Sequence, residues 1–176
     1  GSPLVRAYAD RPKTGADVIK KAHAGMLERL ARMSGSIRMH TPTIAEPWEI
    51  VIIDELLLMT DLLKSGTSSP LGEILSIGRK SAYSVWALTQ IPHVDTVGRV
   101  RNLFVQKLVL ATDSRAMTDA VLGDGAESMG AACSRIPQSM PGTGYAQIEG
   151  ITGYPRFRSA WVPDDMTHLI ARGYLP

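Results

Sequence analysis

The sequence predicts an α/β domain with a mostly parallel sheet flanked by helices and a terminal antiparallel strand pair. Three observations carry that prediction. The run "WEIVIID", residues 48–54, is almost continuously apolar, the pattern of a strand buried on both faces of a parallel sheet. Segments of helical period alternate with β-rich runs along the chain. Near the end, "GTGYAQIE" and "PRFRSAWV" are joined through "GITGY", which reads as an antiparallel pair.

The first element is "TGADVIKKAHAGMLERLARM", residues 14–33. It places Val18, Ala22, Met26, Leu27, Leu30 and Met33 at helical spacing, with Thr14 as the expected N-cap. Gly35 and the stretch up to Pro47 break that period and read as a loop. Beyond the strand, the chain stays apolar through Leu63, as a short helix or lid would. "KSGTSSP" reads as a flexible connection and "LGEILSIGRKSA" as a helix. "YSVWALTQ" and "LFVQKLVLAT" are further strands, separated by "IPHVDTVGRVRN". "DSRAMTDAVLG" reads as a helix capped by Asp113 or Ser114.

A chain of 176 residues, 44% hydrophobic and 20% charged, is expected to be one globular domain spanning 1–176. No apolar stretch approaches the ~20 residues of a membrane helix, and no signal peptide opens the chain. The chain as given is therefore expected to be soluble and cytoplasmic, with any membrane anchor of a parent protein outside it. The lone Cys133 cannot form an internal disulfide and reads as a packed thiol. A net charge of +2 is too mild to argue for nucleic acid by itself. The opening Gly1-Ser2 looks like a cloning remnant, so a piece of a longer chain is expected.

The chemistry centres on "EIVIIDELLLM", residues 49–59, where an apolar strand runs into Asp54 and Glu55. Nucleoside triphosphatases end a buried strand this way, one carboxylate ordering the magnesium shell and the next polarising water. Neither G-x-x-x-x-G-K-[ST] nor G-x-G-x-x-G occurs in the sequence. Spacing alone equally fits an ordinary strand end with solvated acids. Taken singly, Gln90 reads as a solvated polar residue, and Arg79 and Lys80 as a solvated helix end. His93 has no metal-ligand partner at a credible spacing.

In combination these residues say more. "VIIDELLLM", "IGRKSAYSVWALTQIPHVDTV", "TDSRAMTDAVLGDGAESMG" and "GTGYAQI" follow one another in the order and spacing of the FtsK/SpoIIIE family of hexameric DNA translocases. Over roughly Thr14 to Val162 the chain resembles the second half of that family's RecA-like P-loop NTPase core, and most nearly its actinobacterial conjugation-type branch. The resemblance implies that the first βαβ portion, with the P-loop, is missing from this chain, which would then be inactive alone. It implies ATP and Mg²⁺ as cofactors of the complete motor. Asp54 would hold the metal through water, Glu55 would be the general base, and Thr89 and Gln90 would stand beside the nucleotide. Arg79 would reach the neighbouring subunit's ATP, a task suited to a guanidinium.

Arg99 and Arg101 are candidate contacts to DNA phosphates or to the adjacent subunit. The loop carrying Arg38 and His40 reads more simply as plain surface than as a DNA-facing segment. The implied partners are double-stranded DNA and other copies in a hexameric ring. The implied setting is conjugative plasmid or mobile-element transfer, with chromosome partition as the runner-up. A catalytically silent assembly module and a secretion-type ATPase are the competing readings. Gly125, Ala126 and Glu127 read as a structural turn, and the "AACSRIPQSMPGTGY" that follows departs from the family's more usual G-x-G-D-M-L. Loss of the P-loop strand would leave a central strand edge open, so self-pairing is expected.

Overall fold

The computed structural model describes residues 4–63, 68–90, 92 and 101–172. They fall into two compact units, one within Ala9–Phe104 and the other within Gly1–Tyr8 and Val105–Pro176.

The unit 9–104 begins with helix α1, Pro12–Met33. It starts two residues earlier than the sequence predicts, because Pro12 supplies a pre-set helical φ in the first turn. Thr14 is consequently inside the helix, its hydroxyl donating to the Arg11 carbonyl at 3.0 Å. The buried stripe is Gly15, Ile19, Met26, Arg29 and Met33, and the expected core residue Leu27 is exposed. Arg29 is the unexpected member. Its guanidinium donates to the carbonyls of Pro47 at 3.1 Å and Ser81 at 2.8 Å, and lies 4.8 Å above the Tyr83 ring.

Strand β1, Glu49–Ile53, follows the loop. The apolar continuation is a 3₁₀ helix, Leu56–Leu63. Helix α2, Pro70–Ile77, is capped by the Ser69 hydroxyl, which accepts from Gly72 N at 3.0 Å. A 3₁₀ turn, Gly78–Ser81, leads into β2, Tyr83–Ala87. A Cβ on Gly78 would lie 2.7 Å from the Tyr83 carbonyl oxygen, so only glycine lets this turn fold back on the strand. A hydrogen bond of 2.7 Å between His23 Nε2 and Glu73 Oε2 ties α1 to α2.

β1 and β2 are parallel, in register from Glu49↔Tyr83 to Ile53↔Ala87. One face, with Ile53, Tyr83 and Val85, packs on Ile19 and Met26 of α1 and Leu71 and Ile74 of α2. The other face is open: Ile50, Ile52 (65% exposed) and Trp86 (59%) meet solvent, and the neighbouring Trp48 indole donates to Ser84 Oγ at 3.1 Å. Burial on both faces, which the unbroken apolar run predicts, therefore holds for one face only. The cause is that α1 and α2 pack on the same side.

The second unit contains β3, Lys107–Leu110; α3, Arg115–Leu122; β4, Thr143–Gln147; β5, Arg156–Arg158; and α4, Asp164–Ala171. Its sheet has the order β3-β4-β5 and is antiparallel throughout. The terminal pair is as expected, whereas β3, read from its apolar pattern as another strand of a parallel sheet, joins this pair. Pattern fixes a strand's faces, not its direction; here Lys107 Nζ reaches Gln147 Oε1 at 2.8 Å across the ladder. Val109, Leu122, Ala126, Ala131 and Cys133 form the core. A Cβ on Gly144 would come within 2.9 Å of the Phe157 ring, so the glycine is what seats that ring on the sheet. Ser114, one of the two expected caps, accepts from Met117 N at 3.4 Å. Helix α4 has no counterpart among the elements the sequence predicts. Among the described residues no helix is long and apolar enough to cross a membrane.

Candidate active site

The parallel ladder continues beyond the two strands. Leu88 N donates to the Ile53 carbonyl and Leu56 N to the Leu88 carbonyl, each at 2.8 Å. This holds the segment after β1 beside the segment after β2, and so places Asp54 and Glu55 next to Thr89 and Gln90. Ligands of open parallel sheets bind outside the carboxyl ends of the strands.

Glu55 is the best-anchored side chain there. One carboxylate oxygen accepts from Leu57 N at 3.1 Å, the other from Gln90 N at 3.2 Å, and the Thr89 side chain adds a further hydrogen bond. Partial burial pushes the carboxyl's pKa up, but the bonds from Thr89, Gln90 and Leu57 outweigh it and hold the group below the usual glutamate range. Glu55 is thus an oriented, ionised carboxylate bridging two strand ends. Asp54 is exposed and has no hydrogen-bond or ion-pair partner among the described residues. The Gln90 side chain is exposed too, so its backbone rather than its amide makes the contact with Glu55.

The remaining sequence-predicted residues are not gathered here. Arg79 is exposed in the 3₁₀ turn before β2, at the amino end of a strand whose carboxyl end leads to Gln90. Five strand residues span about 17 Å, so Arg79 and Glu55 lie at opposite ends of the sheet. Arg101 is half-buried in a short 3₁₀ helix, Arg101–Leu103. Arg99 and His93 lie outside the described residues, as does most of the loop that carries them. Sequence reading missed the role of Thr89 as a ligand of Glu55 and that of Arg29 as a buried anchor. A hydroxyl just past a strand was a visible signal for the first; Arg29, one more cation in a helix rich in Lys and Arg, gave none.

Among the described residues no three acidic, His or Cys side chains converge as a metal site. A lone exposed carboxylate such as Asp54 fits magnesium only in the way that ion is held with nucleotides, through water and phosphate oxygens.

The mixed α/β fold, with its parallel pair and its antiparallel sheet, is similar to that of two solved structures. The cytoplasmic domain of the Thermomonospora curvata type VII secretion ATPase EccC matches with a TM-score of 0.65 at 19% identity, over 90% of this chain and 20% of that one. The pCW3 conjugation coupling protein TcpA, in its monomer form with ATPγS, matches with a TM-score of 0.60 at 14% identity, over 88% of this chain and 46% of that one. The chain thus spans less than half the length of either. No family model matches the sequence, and no curated protein does.

Proposed function

We propose that the chain is part of an ATP-driven double-stranded DNA translocase of the FtsK/SpoIIIE type, serving conjugative transfer, and that residues 1–176 form one portion of its motor domain. The observation that carries this reading is the Glu55 clamp at the carboxyl ends of two parallel strands. Magnesium-bound ATP, when held, supplies the phosphoryl group and the cation that neutralises its charge. The chain's own contribution is positional. Glu55, fixed by Leu57 N, Gln90 N and Thr89, would accept the proton of the attacking water, and Asp54 would hold the metal through water. The exposed Gln90 amide would stand beside the nucleotide. Arg79, exposed at the far end of β2 from Glu55, would serve the neighbouring subunit's ATP rather than this chain's own. Arg101, with Arg99, contacts DNA phosphates or the adjacent subunit. The phosphate cradle belongs to sequence other than these 176 residues, so this chain alone does not turn over ATP.

A secretion-type ATPase is the second reading, favoured by the likeness to EccC. One experiment separates the two. In the parent polypeptide, duplex DNA should stimulate ATP hydrolysis, and Glu55→Gln should lower kcat by roughly 100-fold or more, with nucleotide binding retained. Hydrolysis indifferent to DNA would favour the secretion reading, and full hydrolysis by the variant would remove Glu55 from the mechanism.

A further inference from the structure

In a regular parallel ladder, one residue bonds through its N–H and its carbonyl to two residues of the partner strand that are two positions apart. Leu88 departs from this pattern. Its N–H donates to the Ile53 carbonyl and its carbonyl accepts from Leu56 N, three positions apart, so Asp54 and Glu55 together oppose it. The extra residue makes a bulge at the carboxyl end of β1, a device that re-aims a side chain where pairing stops.

The side chain it re-aims is Glu55. Gln90 N donates to one carboxylate oxygen at 3.2 Å and Leu57 N to the other at 3.1 Å, and the Thr89 side chain supplies a third hydrogen bond. An ionised carboxylate has about four lone-pair sites and accepts only, so three donors leave roughly one site open to water. Two of those donors are main-chain groups that almost any sequence supplies. The Thr89 hydroxyl depends on a side chain, and it has a single proton to give. With that proton on Glu55, half-buried Thr89 has none to donate to a phosphoryl oxygen, which also only accepts.

We propose that Thr89 is a positioning residue: its hydroxyl, committed to Glu55, holds the carboxylate with one site open to water and makes no contact with the nucleotide. This role rests on the ATPase reading and refines it, since the family resemblance sets Thr89 beside the nucleotide.

Two measurements test it. In the parent polypeptide, Thr89→Val keeps the branched shape and removes the hydroxyl; it should lower kcat by about 10- to 100-fold and leave KM for magnesium-ATP within about twofold. Thr89→Ser, which returns the hydroxyl, should recover most of the loss. Adding Thr89→Val to Glu55→Gln should cost nothing further, because the two residues act as one unit. In the 176-residue chain without nucleotide, hydrogen exchange at the Gln90 and Leu57 amides should speed about tenfold in Thr89→Val and stay unchanged in Thr89→Ser. The amides of β1 and β2 check that the fold is kept, and Thr89→Ala takes the place of a valine that disturbs the strands. A raised KM would make Thr89 a nucleotide contact and overturn the proposal, as would an unchanged kcat, unchanged amide exchange or no recovery with serine. Full hydrolysis by Glu55→Gln is a separate result, which would remove the ATPase reading of the site and the proposal with it.

Discussion

The two units use polar residues in opposite ways. In unit 9–104 the residues with chemistry lie at strand ends and are exposed or half-exposed, as with Asp54, Gln90 and Arg79, while one face of the parallel pair leaves Ile50, Ile52 and Trp86 in solvent. In the unit built on β3–β5, a carboxylate is sealed inside: Glu127 is 3% exposed, its side chain bonded by the Ser134 hydroxyl and backbone N–H and by Thr118, while its own N–H donates to Asp119 Oδ1 at 2.9 Å. A buried polar group with all its partners nearby holds a fold together. In the first unit the polar groups at the strand ends and one apolar face of the sheet are left to solvent instead.

The largest expected effect falls on the exception within the first unit. Arg29 is its buried polar anchor, and Arg29→Ala would remove two charge-assisted bonds to main-chain carbonyls together with the contact on Tyr83. A loss of about 3 kcal/mol is expected. Trp48 and Trp86 belong to this unit and Trp161 to the other, so with Trp161→Phe as background, denaturant unfolding followed by tryptophan fluorescence reads it. An unchanged midpoint would place the unit's stability elsewhere.

Glu127 comes next, at about 2 kcal/mol for Glu127→Gln near neutral pH. Burial raises its pKa, but the bonds from Ser134 and Thr118 prevail and set it below the ordinary value of 4.5. A carboxylate with a lowered folded pKa contributes its full stability above the unfolded value and loses it as pH falls through the folded one. The acid limb of the stability profile should therefore be steeper in the native chain than in Glu127→Gln. Parallel limbs would show that the buried carboxylate is not linked to folding.

How much of this was legible in the sequence follows the same division. α1, β1, β2, α3 and the β4–β5 pair were readable because each has a period or a cap of its own, as Ser114 shows for α3. The direction of β3 was not, since pairing with β4 is a long-range choice that leaves no local mark. The Asp54–Glu55 and Thr89–Gln90 pairs were readable as strand ends, but the clamp between them depends on main-chain N–H groups that have no letter in the sequence. α4 was missed because, unlike the equally short α2 and α3, it has no side-chain cap to mark its start. Arg29 was missed because Lys and Arg are exposed by default.

The smallest expected effect bears most directly on the contrast. The run "EIVII" is apolar at every position after Glu49, yet only alternate residues face the α1–α2 core. If Ile50 and Ile52 contribute little to this chain's own folding, Ile50→Thr with Ile52→Thr should shift stability by no more than about 0.5 kcal/mol per site. Threonine keeps the β-branched shape that strands favour, and surface substitutions seldom cost more. Val51 and Ile53, one residue away on the covered face, should behave differently: Ile53→Ala should cost about 2 to 4 kcal/mol. A near-zero effect at 50 and 52 beside a large one at 53 would mean that the apolar residues on the open face answer to a surface outside the described residues. Equal costs on both faces would mean that the open face is covered in solution, and the contrast between the two units would lose its basis.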